Sequence, residues 1–276
     1  MNDERPLVSV VIPTKNSAAT IETCLKSIKE QTYPDIEVVV VDKFSTDETA
    51  EVAKDLGSMV IKSGVMRSKA RNIGVEKARG ELAFFVDSDM ELTPRVVEKC
   101  VEKILNEKAD AVIVPELSVG EGFWAGCMSL DKLMCIGDSL IEVARFLNRK
   151  AFEAVGGYDE ELVAGEDWDL QTRIEKAGYK ILRVNPVILH HVGDLSLKDI
   201  LMKKTQYGKT IMTYVKKHPQ KARKQLMVLR ASYVRHWRVL MRNPLHALGL
   251  FVMRLIEYGV AGIGILSGES NACGRA

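Results

Sequence analysis

Residues 7–13 form an apolar, β-branched run closed by Pro13, and residues 36–41 form a second run that ends at Asp42. Runs of this length, apolar at almost every position, mark strands buried on both faces of a mostly parallel sheet. Between them Ile21, Leu25 and Ile28 share one helical stripe within residues 18–31, and Pro34 stops the helix. Strand, helix and strand in this order make a βαβ unit. The alternation continues with a helix opening at Ser45 to Asp47 and reaching Leu56, a short strand at 59–62, a helix at 68–77, and a strand at 82–86 that runs into Asp87-Ser88-Asp89. Functional loops in such sheets collect at the carboxyl ends of the strands, so Thr14, Asp42 and Asp87 are expected to converge on one crevice.

A further strand is predicted at 110–114, after which periodicity weakens through residue 165. It returns with a helix over 166–177 stopped by Gly178, a strand near 181–184, and residues 187–189 leading into His190-His191. Farther on, at 100° per residue, Leu226, Leu229, Tyr233, Trp237 and Leu240 fall within an arc of about 80°. Arg223, Arg230, Arg235, Arg238 and Arg242 occupy an arc of about 140° beside it, which predicts one helix with an oily face and a cationic flank. Residues 245–266 are long and apolar enough to span a bilayer, yet Arg254 and Glu257 sit mid-segment, each costing about 2.5–3.5 kcal/mol at a membrane's centre. Pairing at i, i+3 lessens that penalty without removing it. An interfacial helix or hairpin in the membrane plane is therefore expected ahead of packing on the protein's own core or a dimer partner, and ahead of a true span.

At 276 residues, 46% hydrophobic and 28% charged, the chain is too apolar to be disordered throughout and long enough for one large α/β domain with an appendage. Its formal charge of +2 hides a segregation. Residues 1–197 carry a net −10, residues 198–242 a net +12 with Asp199 as their single acid, and residues 243–276 are balanced. The expected organisation is a domain over 1–197 and a basic amphipathic helical region over 198–276, suited to an anionic membrane or a phosphorylated acceptor. Cys24, Cys100, Cys127, Cys135 and Cys273 form no CxxC pair, and no cleavable apolar signal stands at the N-terminus, so reduced cytosolic thiols are expected rather than disulfides or structural zinc.

Four constellations carry candidate chemistry. Asp87-Ser88-Asp89 at a strand end can present hard oxygen ligands to Mg²⁺ or Mn²⁺, although Asp pairs are also common in turns. Glu166 and Asp167, with Trp168 and Asp169 following, open a helix; a carboxylate there serves as a helix cap or as a general base, and spacing alone does not decide. Arg67, Lys69, Arg71 and Asn72 lie on the helix before the DxD strand, either to offset a diphosphate or as a solvated face. His190-His191 follows a strand and is either structural or, if carboxylates gather there, a ligand.

Val8 to Asn16, Val41-Asp42 with Ser45-Thr46-Asp47, Ala70 to Gly74, Phe85 to Asp89, Gly156-Gly157-Tyr158-Asp159 and Gly165-Glu166-Asp167 occur in the order found in family 2 glycosyltransferases of the GT-A fold. The chain resembles that family over about residues 6–195, and the segment from His190 to Tyr214 is similar to a prokaryotic branch with basic, apolar C-terminal tails, associated with surface-polysaccharide or lipid-linked glycan assembly. The resemblance implies a GT-A, Rossmann-like sheet flanked by helices. It also implies that Pro13, Thr14, Lys15, Asp42 and Lys43 border the nucleoside pocket, with Arg71, Asp87, Ser88 and Trp168 completing the nucleotide-sugar site. Asp89 and His190 would ligate the metal, with His191 as second choice; Asp167 would be the catalytic base and Glu166 its neighbour. One departure stands out. The family usually has two consecutive acids after the second strand, whereas Lys43 follows Asp42, so uracil recognition is not implied.

The expected activity is an inverting, Mg²⁺- or Mn²⁺-dependent hexosyltransferase, taking a nucleotide-sugar donor and a glycan or polyprenyl-phosphate-linked acceptor. It would work at the cytoplasmic membrane face, without nucleic acid, and with a homodimer left open. A sugar nucleotidyltransferase and an inactive membrane-bound glycan-binding module are the competing readings.

Overall fold

The computed structural model describes residues 5–227 and 229–273; the side chains of Lys203, Lys204, Gln206, Lys209, Glu257 and residues 260–273 lie outside what it describes. In chain order the elements are β1 (Val8–Thr14), α1 (Ala18–Lys29), β2 (Ile36–Asp42), α2 (Thr49–Asp55), β3 (Met59–Lys62), α3 (Arg67–Lys77), β4 (Leu82–Phe85), β5 (Met90–Leu92), α4 (Val96–Glu107), β6 (Ala111–Ile113) and β7 (Glu116–Glu121). There follow α5 (Gly122–Met134), β8 (Ala144–Asn148), α6 (Arg149–Ala154), α7 (Glu166–Lys176), β9 (Ile181–Arg183), β10 (Ile188–Asp194), α8 (Leu197–Lys217), α9 (Pro219–Gln225), α10 (Ala231–Arg235), α11 (Trp237–Arg242) and α12 (Pro244–Cys273).

The chain divides into two compact units, residues 1–116, 143–160 and 167–191 in one and 117–142, 161–166 and 192–276 in the other. The second unit thus gathers two inner segments in addition to the C-terminal region. In the first unit, seven strands form a sheet in the order β3-β2-β1-β4-β8-β6-β9. The run β3-β2-β1-β4 is parallel, β8 pairs antiparallel with both β4 and β6, and β6 pairs parallel with β9. The mixed, mostly parallel α/β sheet expected from the sequence is therefore present.

Burial on both faces explains the unbroken apolar strands. Along β1, Val10 and Ile12 join one core with Phe84, Val112 and Phe146, whereas Val11 joins another with Phe85, Ala83 and Leu147. Successive side chains of a strand point to opposite faces, so both faces must be apolar. Helix α1 covers the first core with Ile21, Leu25 and Ile28, the predicted stripe, and α3 covers the second with Val75. Gly74 lets α3 approach: a Cβ there would lie 2.2 Å from Val11 Cγ1. Helix α2 opens at Thr49, later than expected, because Asp47 is occupied as a bridge, accepting from the Thr49 and Ala18 amides at 3.1 Å each.

In the second unit, Cys127, Leu130 and Met134 of α5 form a core with Ile200, Tyr233, Ala247, Leu250 and Met253. A Cβ at Gly249 of α12 would meet Phe123 Cζ at 2.5 Å and Cys127 Sγ at 2.6 Å, so the two helices touch closely there. The predicted single amphipathic helix through residues 223–242 is corrected to three short helices, the first ending at Gln225, the second beginning at Ala231, and the second and third separated by His236. Burial explains the break. Tyr233 is buried and its hydroxyl donates to Asp131 Oδ1, with Arg230 Nη1 3.4 Å from the same oxygen, whereas Trp237 and Leu229 are exposed; the stripe does not face one partner.

Arg254 also departs from expectation. It is buried, its Nη2 is 3.3 Å from Asp131 Oδ2, and its Nε donates to the Tyr233 hydroxyl at 3.3 Å. An internal acid thus compensates this charge, while the side chain of Glu257, the partner suggested by spacing, lies outside the described residues. No helix among the described residues is long and apolar enough to cross a membrane. Cys24, Cys100, Cys127 and Cys135 are free and buried.

Candidate active site

Strand pairing delivers the first pieces. Thr14 ends β1 in register with Asp42 at the end of β2, and the Lys43 amide donates to the Thr14 carbonyl at 2.8 Å. Asp42 is fully buried, with both carboxylate oxygens 3.2 Å from the Ser45 amide and Oδ1 also accepting from the Ser45 hydroxyl. Its carboxylate therefore closes the loop that follows β2, in which Phe44 takes φ +49°. Pro13 is half-buried, Lys15 is exposed, and Lys43 lies half-buried with Nζ 3.2 Å from Met66 Sδ.

The centre of the site is a charge cluster. Buried Phe84-Phe85-Val86 lead to Asp87, and Arg71 reaches it from α3 with no solvent exposure of its own. The Arg71 guanidinium donates from Nη2 to Asp87 Oδ1 at 2.8 Å and from Nη1 to Asp167 Oδ1 at 2.9 Å. Its Cζ stands 5.0 Å from the Tyr158 ring centroid, and the Tyr158 hydroxyl donates to Asp167 Oδ1 at 3.0 Å.

Arg145, from β8, supplies a second cation that sequence reasoning missed. It lies 3.6 Å from Asp87 Oδ2 and 3.9 Å from Asp167 Oδ2, and its Nε donates to Glu116 Oε1. A signal was available. An arginine inside the apolar run Ala144 to Leu147 must be paired, because burying an unpaired charge costs several kcal/mol.

These neighbours set the protonation states. Burial alone would raise the Asp87 carboxyl pKa, but Arg71, then Arg145 and Arg67, outweigh it and hold the group far below the carboxylate range. Asp167 follows the same balance: burial pushes up, Arg71, Arg145 and Arg67 pull down, Asp87 pushes back, and the net shift is downward. Burial first, and then the Asp167 charge, push the Tyr158 phenol well above its usual value, so it stays a donor. Burial likewise raises the Cys24 thiol, with Asp89 and Asp87 adding to the effect.

A second pair stands beside this cluster. β10 pairs antiparallel with β5, His190 opposite Met90, which brings His190 Nε2 to 3.1 Å from Asp89 Oδ2. His191 donates its amide to the Asp89 carbonyl at 2.8 Å, but its ring meets Glu91 at 2.7 Å. Of the two histidines, His190 is thus the one beside the DxD carboxylate. No group of three or more His, Cys, Asp and Glu side chains that could hold a metal occurs among the described residues. The ligand types of the pair nonetheless fit such an ion: a carboxylate oxygen suits Mg²⁺ or Mn²⁺, and its neighbour is an imidazole, the carboxylate half-exposed and the imidazole largely buried.

The remaining expected residues divide. Ser88 is buried and donates to Ser17 Oγ at 2.9 Å, tying the DxD loop to the start of α1. Glu166 is buried at the first position of α7, and Trp168 is half-buried on that helix. Asp169 is a structural acid, 2.7 Å from Arg173 Nε. Lys69 pairs with Glu160 at 3.0 Å, and Asn72 exchanges hydrogen bonds with the Tyr158 backbone at 2.9 Å, so these two hold the 156–160 segment.

The family model for glycosyl transferase family 2 matches residues 9–125, and that for a glycosyltransferase-like family 2 matches residues 130–228. The "PGL/p-HBAD biosynthesis glycosyltransferase" of Mycobacterium bovis is 33% identical over 180 residues, 61% of this chain and 69% of the relative. This chain belongs to glycosyltransferase family 2. Glycosyltransferase AglE of Haloferax volcanii is 28% identical over 226 residues, covering 76% of this chain and 74% of its own.

Among solved structures, the mannosyltransferase PcManGT from Pyrobaculum calidifontis, in complex with GDP-Man and Mn²⁺, superposes with a TM-score of 0.65 at 19% identity, over 96% of this glycosyltransferase and 88% of that chain. S. aureus TarS 1–349 in complex with UDP-GlcNAc gives 0.58 at 19% identity, over 98% and 92%. At such identities the likeness is one of fold, and it agrees with the GT-A architecture described above.

Proposed function

We propose that this family 2 enzyme is an inverting, Mg²⁺- or Mn²⁺-dependent hexosyltransferase that moves a sugar from a nucleotide-sugar donor to a glycan or polyprenyl-phosphate-linked acceptor at the cytoplasmic membrane face. The observation that carries the reading is the position of Asp167, ionised and oriented by Arg71 and Tyr158. In this reading Asp167 takes the proton of the acceptor hydroxyl as that oxygen attacks the anomeric carbon from the side opposite the diphosphate. A carboxylate held by arginines is a weak base, so the proton moves late, once bond formation has made the hydroxyl acidic. A single displacement inverts the anomeric centre.

Asp89 and His190 would hold the divalent cation, which supplies charge neutralisation for the departing diphosphate. Arg71 and Arg145 keep the carboxylates of the site charged and fixed in place. Thr14, Pro13, Lys15, Asp42 and Lys43 would border the nucleoside, Asp87 and Ser88 the ribose and diphosphate, and Trp168 the sugar or acceptor. GDP-Man and UDP-GlcNAc, bound by the neighbours of similar fold, make purine and pyrimidine donors the first to assay.

The test is a panel of nucleotide sugars assayed with Mn²⁺ for binding by calorimetry and for transfer. Asp89→Ala should lose metal-dependent donor binding. Asp167→Asn should keep donor binding and lose roughly 10²–10⁴-fold in transfer. Full transfer by Asp167→Asn removes the base assignment, and release of pyrophosphate instead of nucleoside diphosphate points to nucleotidyl transfer.

A further inference from the structure

Helix α12 carries apolar side chains on two sides. Ala247, Leu250 and Met253 are buried in the second unit's core, and Arg254 beside them is held by Asp131. Leu245, Leu248, Val252 and Leu255, spaced three, four and three residues apart, fall within an arc of about 80° on another side. All four are exposed. Just before them in the chain, Val234, Trp237 and Met241 are exposed as well, and Trp237, Met241, Leu245, Leu248 and Leu255 are each more than half exposed. The four on α12 lie side by side, and large exposed apolar residues grouped in this way point to an interaction face.

The charge beside it identifies the occupant. Arg235, Arg238 and Arg242 are exposed between these apolar positions, and no acidic residue occurs from residue 200 to residue 256. Arg238 stands over the Trp237 ring, its Cζ 5.9 Å from the centroid. Indole rings favour the boundary between acyl chains and headgroups, and arginines extend from there to lipid phosphates. A second copy of the chain would set like charges against each other, whereas an anionic bilayer complements them.

We propose that α10, α11 and the first three turns of α12 form a monotopic docking face for an anionic lipid bilayer. Trp237, Met241, Leu245, Leu248, Val252 and Leu255 enter the acyl boundary, and Arg235, Arg238 and Arg242 meet the headgroup phosphates. The inference rests on the membrane-face part of the function proposed above. It replaces the idea of a separate amphipathic helix with a face built on a packed scaffold, because the opposite side of α12 is fixed in the protein's own core.

Flotation of the full chain with phosphatidylglycerol and phosphatidylcholine vesicles tests it, with thermal unfolding to verify that each variant is folded. The expected result is binding to the anionic vesicles, loss of binding in Leu245→Glu/Leu248→Glu, and a loss on the order of a hundredfold in Arg235→Gln/Arg238→Gln/Arg242→Gln. Adding anionic vesicles should also shift tryptophan emission to the blue, and Trp237→Phe, at a position 55% exposed, should remove most of that shift. Wild-type binding that both multiple variants retain overturns the docking face while leaving a membrane location intact. Absence of wild-type binding to either vesicle overturns the membrane location and the face together. A monomer-to-dimer shift abolished by Leu245→Glu/Leu248→Glu, without vesicle binding, assigns the face to a second copy and overturns the lipid proposal.

Discussion

Arg71 Nη1 donates to Asp167 Oδ1 at 2.9 Å across 96 positions of sequence, from a side chain with no solvent exposure. The other arm of the same guanidinium holds Asp87. One residue of α3 therefore links the loop after β4, where a donor is expected, to the helix that carries the proposed base. The planar fork of arginine suits this two-handed role; an ammonium is a point charge and cannot reproduce it.

Replacing Arg71 should cost both stability and activity. Arg71→Met leaves two carboxylates facing each other with less compensation, and removal of one partner of a buried ion pair typically costs about 3–5 kcal/mol. Arg71→Lys should recover part of the stability, because charge is restored, but little of the transfer rate, because one of the two carboxylates loses its directed hydrogen bond. Urea unfolding and transfer assays on the two variants separate the effects. Equal transfer by Arg71→Lys and wild type would show that charge alone suffices.

The same cluster shows where the sequence was legible. The strands β1, β2, β3 and β4, and the helices α1, α3 and α7, follow from apolar runs and helical stripes, because burial on known faces leaves a regular pattern. The sequence order of Asp87, Asp89, Asp167 and His190 pointed to one site, and the structure places Asp87 with Asp167 and Asp89 with His190. Arg145 escaped notice because β8 is a single antiparallel strand inside a parallel sheet, flanked by the weakly periodic 115–165 segment, and its charge is balanced by residues distant in sequence. The division of residues 223–242 into three helices was equally hidden. It depends on Asp131 of α5 capturing Tyr233 and Arg230, a contact spanning about a hundred positions.

Arg145 also sets a pH dependence. Asp167 has its folded pKa lowered, so its contribution to stability is present above the unfolded carboxyl pKa of about 3.9 and is lost as pH falls through the lower folded value. Arg145→Gln removes one of the cations that lower it, moving the Asp167 pKa upward. The acid limb of the kcat/KM profile should then shift to higher pH, on the order of one unit, with Arg145→Lys shifting it less. The variant should also lose stability at acidic pH earlier than the wild type. Superimposable acid limbs for wild type and Arg145→Gln would mean that Arg145 does not tune the base.

Gly165 precedes Glu166 and Asp167 and has φ +79°; a Cβ there would lie 2.7 Å from Cγ of Tyr214, a fully buried ring whose hydroxyl donates to Gln225 Oε1 at 2.5 Å. Gly137 has the same φ of +79°, but a Cβ there would meet nothing within 4 Å, and both glycines belong to the second unit. The pair separates backbone strain from crowding. Gly137→Ala should cost about 1–2 kcal/mol, the left-handed penalty alone. Gly165→Ala should cost about 1–3 kcal/mol more, because the Tyr214 ring is anchored and cannot retreat. Only Gly165→Ala should also slow transfer, since the displaced chain leads directly into the residue proposed as base. Chemical denaturation and transfer assays on the two alanine variants give the comparison. Equal stability losses, with transfer intact in both, would show that Tyr214 yields to the added methyl and does not fix the loop before Asp167.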